Sequence, residues 1–355
     1  MIQLTNISPS VCDSAKWAFT TRRVTRSDVR HIASDLWRAK AGDLLLCEIV
    51  DIGHHKNIQL AERRVSKSYP GDLVVLCLGD RYAPDQFLAS AIIDAPLLDL
   101  AAGGGIAGRV DTAHDLIKKP TKLRPLGLLC GEHDQILNVA DYALPERLAD
   151  ESATVIGVFG ASMNSGKTTA ASSLAHGLKS AGYAVAGIKA TGTGAFGDFN
   201  ALEDGGVPAL DFTDVGMATT YRMPLERIER GFDTLVSTAV ERGAQVVVVE
   251  IADGVFQQET KAILKGSRIR DRLDGILFAA PDALCAFGGV TYLESLNLSP
   301  FAISGMVSCS PMASAEAAQV TGLPILSRQD LCSPDKVESH VEPLMRHVYA
   351  RPAAA

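Results

Sequence analysis

No apolar stretch in the chain approaches the roughly 18 residues that a membrane-spanning helix needs, and no basic segment followed by an apolar one opens it. The sequence therefore reads as that of a soluble, cytoplasmic protein with no membrane partner. Seven cysteines are odd in number and scattered (12, 47, 77, 130, 285, 309 and 332), with no Cys-x-x-Cys among them. That excludes a disulfide framework and a paired-cysteine zinc site, and the thiols read as small buried hydrophobes. The one His-His pair, His54-His55, has no third ligand near it in sequence, so these are expected as surface or turn histidines. Aromatics make up only 6% of the chain and the formal charge is −7. Both argue against nucleic acid held by bulk electrostatics or by stacked bases. A basic start (Arg22, Arg23, Arg26, Arg30, Arg63, Arg64) is read as a solvated face, and it is the sole feature that would favour a polynucleotide kinase.

Residues 160–169 read Gly160-Ala161-Ser162-Met163-Asn164-Ser165-Gly166-Lys167-Thr168-Thr169. The core of this passage is a phosphate-binding loop with Ala161 where the first glycine usually stands. Its surroundings suit the motif. Thr154 to Phe159 is a short apolar run of buried-strand type, and Ala170, Ala171, Leu174, Ala175 and Leu178 form a helical stripe that Gly182 ends. Backbone N–H groups of such a loop, with the positive end of the following helix, surround an anion. Lys167 is expected on the outer phosphates and Thr168 on Mg²⁺.

From residue 150 onward, predicted strands and helices alternate. The strands are expected at 154–159, 184–189, 245–250, 275–280, 301–307 and 324–327. Near-continuous apolar strands separated by helices imply a parallel sheet covered on both faces. The fold expected is α/β: a P-loop NTPase domain with a mostly parallel, doubly wound sheet over 151–350. A smaller β-rich domain of barrel type precedes it over 1–125, with an early helix around 26–39, and 126–150 serves as a linker. Gly103 to Gly108 matches G-x-G-x-x-G formally but lacks a strand-to-helix setting, and is expected as a plain glycine loop.

In a doubly wound sheet, ligands collect beyond the carboxyl ends of the strands. Lys189 closes the second predicted strand and opens Lys189-Ala-Thr-Gly-Thr-Gly194, so it is a candidate for phosphate. Glu250 closes the valine-rich third strand and opens Glu250-Ile-Ala-Asp253-Gly254; Glu250 is a metal and catalytic candidate, and Asp253 a catalytic one. The segment 195–216 holds Asp198, Asp204, Asp211 and Asp214 where P-loop proteins keep switch or lid segments. Asp211 and Asp214 open a helical-looking run and are read either as its caps or as ligands of metal or substrate. No Asn/Thr-Lys-x-Asp string occurs near the last strands, which leans the nucleotide to adenine, with Ser308 to Pro311 expected beside the base.

These passages resemble the P-loop group of dethiobiotin synthetase and the molybdopterin-guanine-dinucleotide accessory proteins, over roughly residues 154–330. Lys189-Ala-Thr-Gly-Thr-Gly and Glu250-Ile-Ala-Asp-Gly stand where dethiobiotin synthetase has Lys-Pro-x-x-(Ser/Thr)-Gly and Glu-Gly-Ala-Gly-Gly. The resemblance implies that Lys167, Thr168, Lys189 and Glu250 serve phosphate and Mg²⁺, and that the protein is a homodimer with substrate near its interface. Asp253 departs from that pattern, as does the whole preceding domain. The chain is also similar to a P-loop family that includes D-glutamate N-acetyltransferase-like proteins, in which the loop would hold the phosphates of acetyl-CoA.

The expected function is a Mg·ATP-dependent enzyme that transfers a phosphoryl group to, or activates, a small polar or carboxylate substrate. An acyl-CoA-dependent N-acyltransferase and a nucleotide-driven switch or cofactor-biosynthesis accessory are the alternatives.

Overall fold

The computed structural model describes residues 4–345, which divide into two compact units. The first holds the chain up to Pro145 together with two later returns, Thr193–Phe196 and Phe212–Arg222. Its main strands are Leu44–Asp51, Leu73–Leu78, Leu98–Ala102, Ile106–Ala113 and Thr121–Cys130. Thr121–Cys130 pairs with Leu44–Asp51 on one side and Leu98–Ala102 on the other, while Ile106–Ala113 joins Leu98–Ala102 to Leu73–Leu78. With Leu44–Asp51 paired to Leu73–Leu78, the ring closes as a barrel, antiparallel except between Leu73–Leu78 and Ile106–Ala113. Closure leaves these strands no open edge within the ring.

Both faces of the strands are buried, which accounts for their unbroken apolar runs. Leu44, Leu46, Val75 and Cys77 go to one hydrophobic cluster; Leu45, Cys47, Ile49, Val74, Leu76 and Leu78 go to another. This is the period-two alternation of strands with an apolar residue on each side. Burial pushes the Cys47 and Cys77 thiols up to about 12, so they are inert packing groups.

Three expectations for this unit are corrected. The segment 26–39 is two 3₁₀ turns, Arg26–Asp28 and Leu36–Arg38, around a short strand His31–Ala33 that pairs with the barrel; it is not a helix. The stretch 126–150 begins inside the strand Thr121–Cys130, and the 3₁₀ turn Val139–Tyr142 belongs to the first unit too. His55 is not a surface histidine. Its Nε2 lies 3.0 Å from the Ala101 carbonyl oxygen and 3.1 Å from Nη1 of buried Arg81, beside the Phe87 ring. Gly103 to Gly105 form the turn between Leu98–Ala102 and Ile106–Ala113.

The second unit is a sheet of six strands. In chain order the elements that matter are β1 (Thr154–Gly160), α1 (Lys167–Ser180), β2 (Val185–Lys189), α2 (Phe196–Asp204), β3 (Ala209–Asp211), α3 (Leu225–Glu241) and β4 (Val246–Glu250). They are followed by α4 (Gln258–Lys265), α5 (Arg268–Arg272), β5 (Gly275–Ala279), α6 (Ala283–Ser295), β6 (Ala302–Ser304) and α7 (Pro311–Thr321). The sheet order is β3-β2-β4-β1-β5-β6 and every pairing is parallel. Leu277 of β5 joins the core that α1 covers, while its neighbour Phe278 packs its ring on Gly289 of α6. Adjacent strand residues thus meet helices on opposite faces, as in a doubly wound sheet.

The run 301–307 keeps only Ala302–Ser304 as strand, and 324–327 contributes a single bridge, Ile325 to Ile303. Asp211 ends a strand and does not open a helix. Among the described residues no helix is long and apolar enough to cross a membrane.

Candidate functional site

Gly160 ends β1, and Lys167 opens α1 after a loop of six residues. Three glycines let that loop close. A Cβ on Gly160 would lie 2.3 Å from Ser165 Oγ and 2.7 Å from Lys167 Cγ. Gly166 adopts φ +99°, and a Cβ there would meet Gly305 Cα at 2.8 Å. Gly254 approaches Ala161 and Ser162 so closely that a Cβ would sit 2.6 Å from the Ala161 carbonyl oxygen. The loop is bonded on several sides: Ala161 N–H donates to Ala279 O (2.9 Å), Val255 N–H to Gly160 O (3.1 Å) and Met306 N–H to Ser165 O (3.1 Å). The first N–H groups of a helix have no partner within it, so α1 turns its N-terminal donors toward the space the loop surrounds.

Lys167 is buried, and its ammonium folds back to donate to the Ser162 carbonyl oxygen at 2.8 Å. Burial holds its pKa below the usual lysine value; Glu250 and Asp253 oppose that effect and Lys189 adds to it. Thr168, in the first turn of α1, places its hydroxyl 2.8 Å from Asp198 Oδ1 and 3.1 Å from Glu250 Oε1. The other carboxylate oxygen of Glu250 is buried, with no hydrogen-bond partner among the described residues. Lys189 pairs with the second oxygen of Asp198. Strand register explains the gathering. Glu250 faces Val158 of β1 on one side and Lys189 of β2 on the other, and Lys189 in turn faces Asp211 of β3.

The structure thus brings Lys167, Thr168, Lys189 and Glu250 together at the carboxyl ends of β1, β2 and β4, with Asp253 close enough to act on the Lys167 charge. Asp211, buried at the end of β3, stands beyond Lys189 in the row. Asp214 is corrected. It belongs to the first unit, where Arg22 lies 2.7 Å and Arg23 3.7 Å from its carboxylate, so its charge is met there by arginine. Sequence reasoning did not single out Asp198. It is the acidic residue in the first turn of α2, which follows the glycine-rich passage after Lys189, and that placement was the available signal.

A magnesium ion suits this donor set. Among the described residues no three His, Cys, Asp or Glu side chains converge as a protein-only metal cage. Mg²⁺ needs no such cage, because it is held by one or two carboxylates together with water and phosphate oxygens. A hydroxyl between two carboxylates, one of which keeps a buried oxygen without a partner, is an oxygen-only set of that kind.

The closed glycine loop between a central parallel strand and a helix, with Lys167 and Thr168 at its end, defines a P-loop NTPase fold. No family model and no curated protein matches the chain. Among solved structures it is similar to the signal recognition particle 54 kDa protein of Aeropyrum pernix K1 in complex with GDP, at 19% identity and a TM-score of 0.36, over 54% of this chain and 49% of that one. It is also similar to the signal recognition particle receptor FtsY of Elizabethkingia anophelis, at 21% identity and a TM-score of 0.38, over 56% of this chain and 66% of that one. The same receptor in complex with GDP gives 19% identity and a TM-score of 0.38, over 59% and 68% of the two chains. The matched stretch is about half of the first of these proteins.

Proposed function

We propose that the second unit binds a Mg²⁺-nucleoside triphosphate, with adenine preferred, and transfers its γ-phosphoryl group to a small polar or carboxylate acceptor. One observation carries this: the Thr168 hydroxyl, in the first turn after the phosphate loop, sits between Asp198 and Glu250, and Glu250 keeps a buried oxygen without a partner. Thr168, Asp198 and Glu250 would hold the metal directly or through water. When bound, Mg²⁺ supplies positive charge to the phosphate oxygens. Lys167 leaves the Ser162 carbonyl oxygen for a phosphate oxygen, and the backbone N–H groups that open α1, Lys167 to Thr169, take the others. Lys189, next to the metal carboxylates, stabilises charge that builds on the transferring group. Asp253 orients the acceptor oxygen. The bond from the γ-phosphorus to the β-phosphate oxygen breaks, a bond to the acceptor oxygen forms, and the nucleoside diphosphate leaves; a carboxylate acceptor reacts as the anion, and a hydroxyl acceptor gives up its proton to solvent.

The preference for adenine rests on the missing guanine-reading string. The one aspartate just after β5, Asp282, is already engaged: its side chain accepts from Cys285 N–H at 2.7 Å and caps α6. Lys189 and Glu250, on which the likeness to dethiobiotin synthetase rests, lie side by side in the sheet, which supports activation of a carboxylate as one form of the transfer.

Titration calorimetry with ATP, GTP and acetyl-CoA, each with and without Mg²⁺, tests the reading. We expect saturable ATP binding that Mg²⁺ strengthens and that exceeds GTP binding. Equal or tighter GTP binding overturns the adenine preference, and binding of acetyl-CoA alone overturns nucleotide use.

A further inference from the structure

The loop after β4 is fixed from two directions. On one side it lies against the phosphate loop, through Val255 N–H and the Gly254 contact. On the other side the backbone N–H and carbonyl of one residue, Ala252, are held by two buried threonines. Thr191 Oγ1 accepts from Ala252 N–H at 2.9 Å and donates to the Ala252 carbonyl oxygen at 2.8 Å. Thr260 Oγ1 donates to the same carbonyl oxygen at 2.7 Å. Thr191 is 1% exposed and Thr260 0% exposed. Ala190 N–H donates to the Glu250 carbonyl oxygen at 3.0 Å, so the two residues after β2 are tied to the start of the β4 loop. The residue after Ala252 is Asp253.

The structure assigns Thr191 as the positioning residue for Asp253, with Thr260 as its support: the Thr191 hydroxyl fixes the backbone of Ala252 on both sides of its Cα, and that backbone fixes where the Asp253 carboxylate stands. The inference rests on the proposed phosphoryl transfer, in which Asp253 orients the acceptor. The chemistry favours threonine here. A hydroxyl both donates and accepts, so one side chain satisfies both backbone polar groups of a buried residue. Valine has the same shape and can do neither. A group that orients a reacting atom must be held within a fraction of an ångström, and a misplacement of about 1 Å costs on the order of a hundredfold in rate.

The test uses the full chain, with nucleotide turnover and nucleotide affinity measured for wild type, Thr191→Val, Thr191→Ser, Asp253→Asn and the Thr191→Val/Asp253→Asn pair. We expect Thr191→Val to lower kcat by about ten- to a hundredfold while Mg²⁺-ATP affinity changes less than about threefold. Thr191→Ser, which keeps the hydroxyl, should restore most of the rate. Adding Thr191→Val to Asp253→Asn should cost little more, because residues that act through one another are not additive. Wild-type kcat in Thr191→Val, or full additivity in the pair, overturns the assignment while leaving the transfer reading intact. If Thr191→Val fails to fold, Thr191→Ser against Asp253→Asn carries the test, and a serine variant as slow as Asp253→Asn overturns it. A wild-type protein that binds no nucleotide overturns the transfer reading and the assignment with it.

Discussion

Lys167 is a buried ammonium that donates to the Ser162 carbonyl oxygen, and its charge is costly to the fold on its own. We therefore expect Lys167→Ala to leave the melting temperature unchanged or raised. ATP affinity should fall by about ten- to a hundredfold, the worth of a charge-assisted contact. Thermal melts and calorimetry on the same protein check both halves, and a variant that is destabilised yet binds ATP as wild type does would make Lys167 structural. His55 shows the opposite use of burial. Burial first, then Arg81, lowers its pKa from 6.5 to about 3. Below pH 6.5 the unfolded chain takes a proton that the fold refuses. Stability is therefore lost as pH falls from 6.5 toward about 3, with a slope of at most about 1.4 kcal/mol per pH unit from this group. Urea titrations between pH 7 and pH 4 should show a shallower loss in His55→Asn than in wild type, and parallel curves would contradict this.

At the level of elements, α6 tests whether Asp282 is a cap or a base reader. Asp282→Ala should cost about 0.5–2 kcal/mol of stability, the usual worth of a lost N-cap, and leave the ratio of ATP to GTP affinity unchanged. A changed ratio would place Asp282 at the base. The elements also show what was legible in the sequence. The strand, loop and helix around Lys167 are contiguous, so their periodicity and glycines could be read directly, and the ends of β2 and β4 followed from the rule that ligands sit at strand ends. Asp198 was not legible as a site residue, because its meeting with Thr168 depends on how α2 returns over the sheet. Asp214 was misread for the same reason: its partners, Arg22 and Arg23, lie nearly 200 positions earlier in the chain. The last barrel strand was hidden by Pro125, which reads as a breaker; the strand admits it where the register with Leu44–Asp51 shifts.

The chain forms two compact units, and the phosphate loop lies in the second. A ligand that binds only the folded second unit stabilises it by mass action, about 2.7 kcal/mol at a hundred times its dissociation constant. In scanning calorimetry we expect saturating Mg²⁺-ATP to raise the midpoint of the transition in which the second unit unfolds. A thermogram that Mg²⁺-ATP leaves unchanged would contradict nucleotide binding by this unit.

The function proposed here depends most on the oxygen set of Thr168, Asp198 and Glu250. The most direct measurement is the affinity for ATP in EDTA and in saturating Mg²⁺, for wild type and for Glu250→Gln. The amide keeps the size of the side chain and removes the charge that would hold the metal or its water. We expect Mg²⁺ to strengthen ATP binding by wild type, and Glu250→Gln to lose most of that increment while its metal-free affinity stays near the wild-type value. An increment of the same size in both proteins would contradict the metal assignment and remove Glu250 from the site.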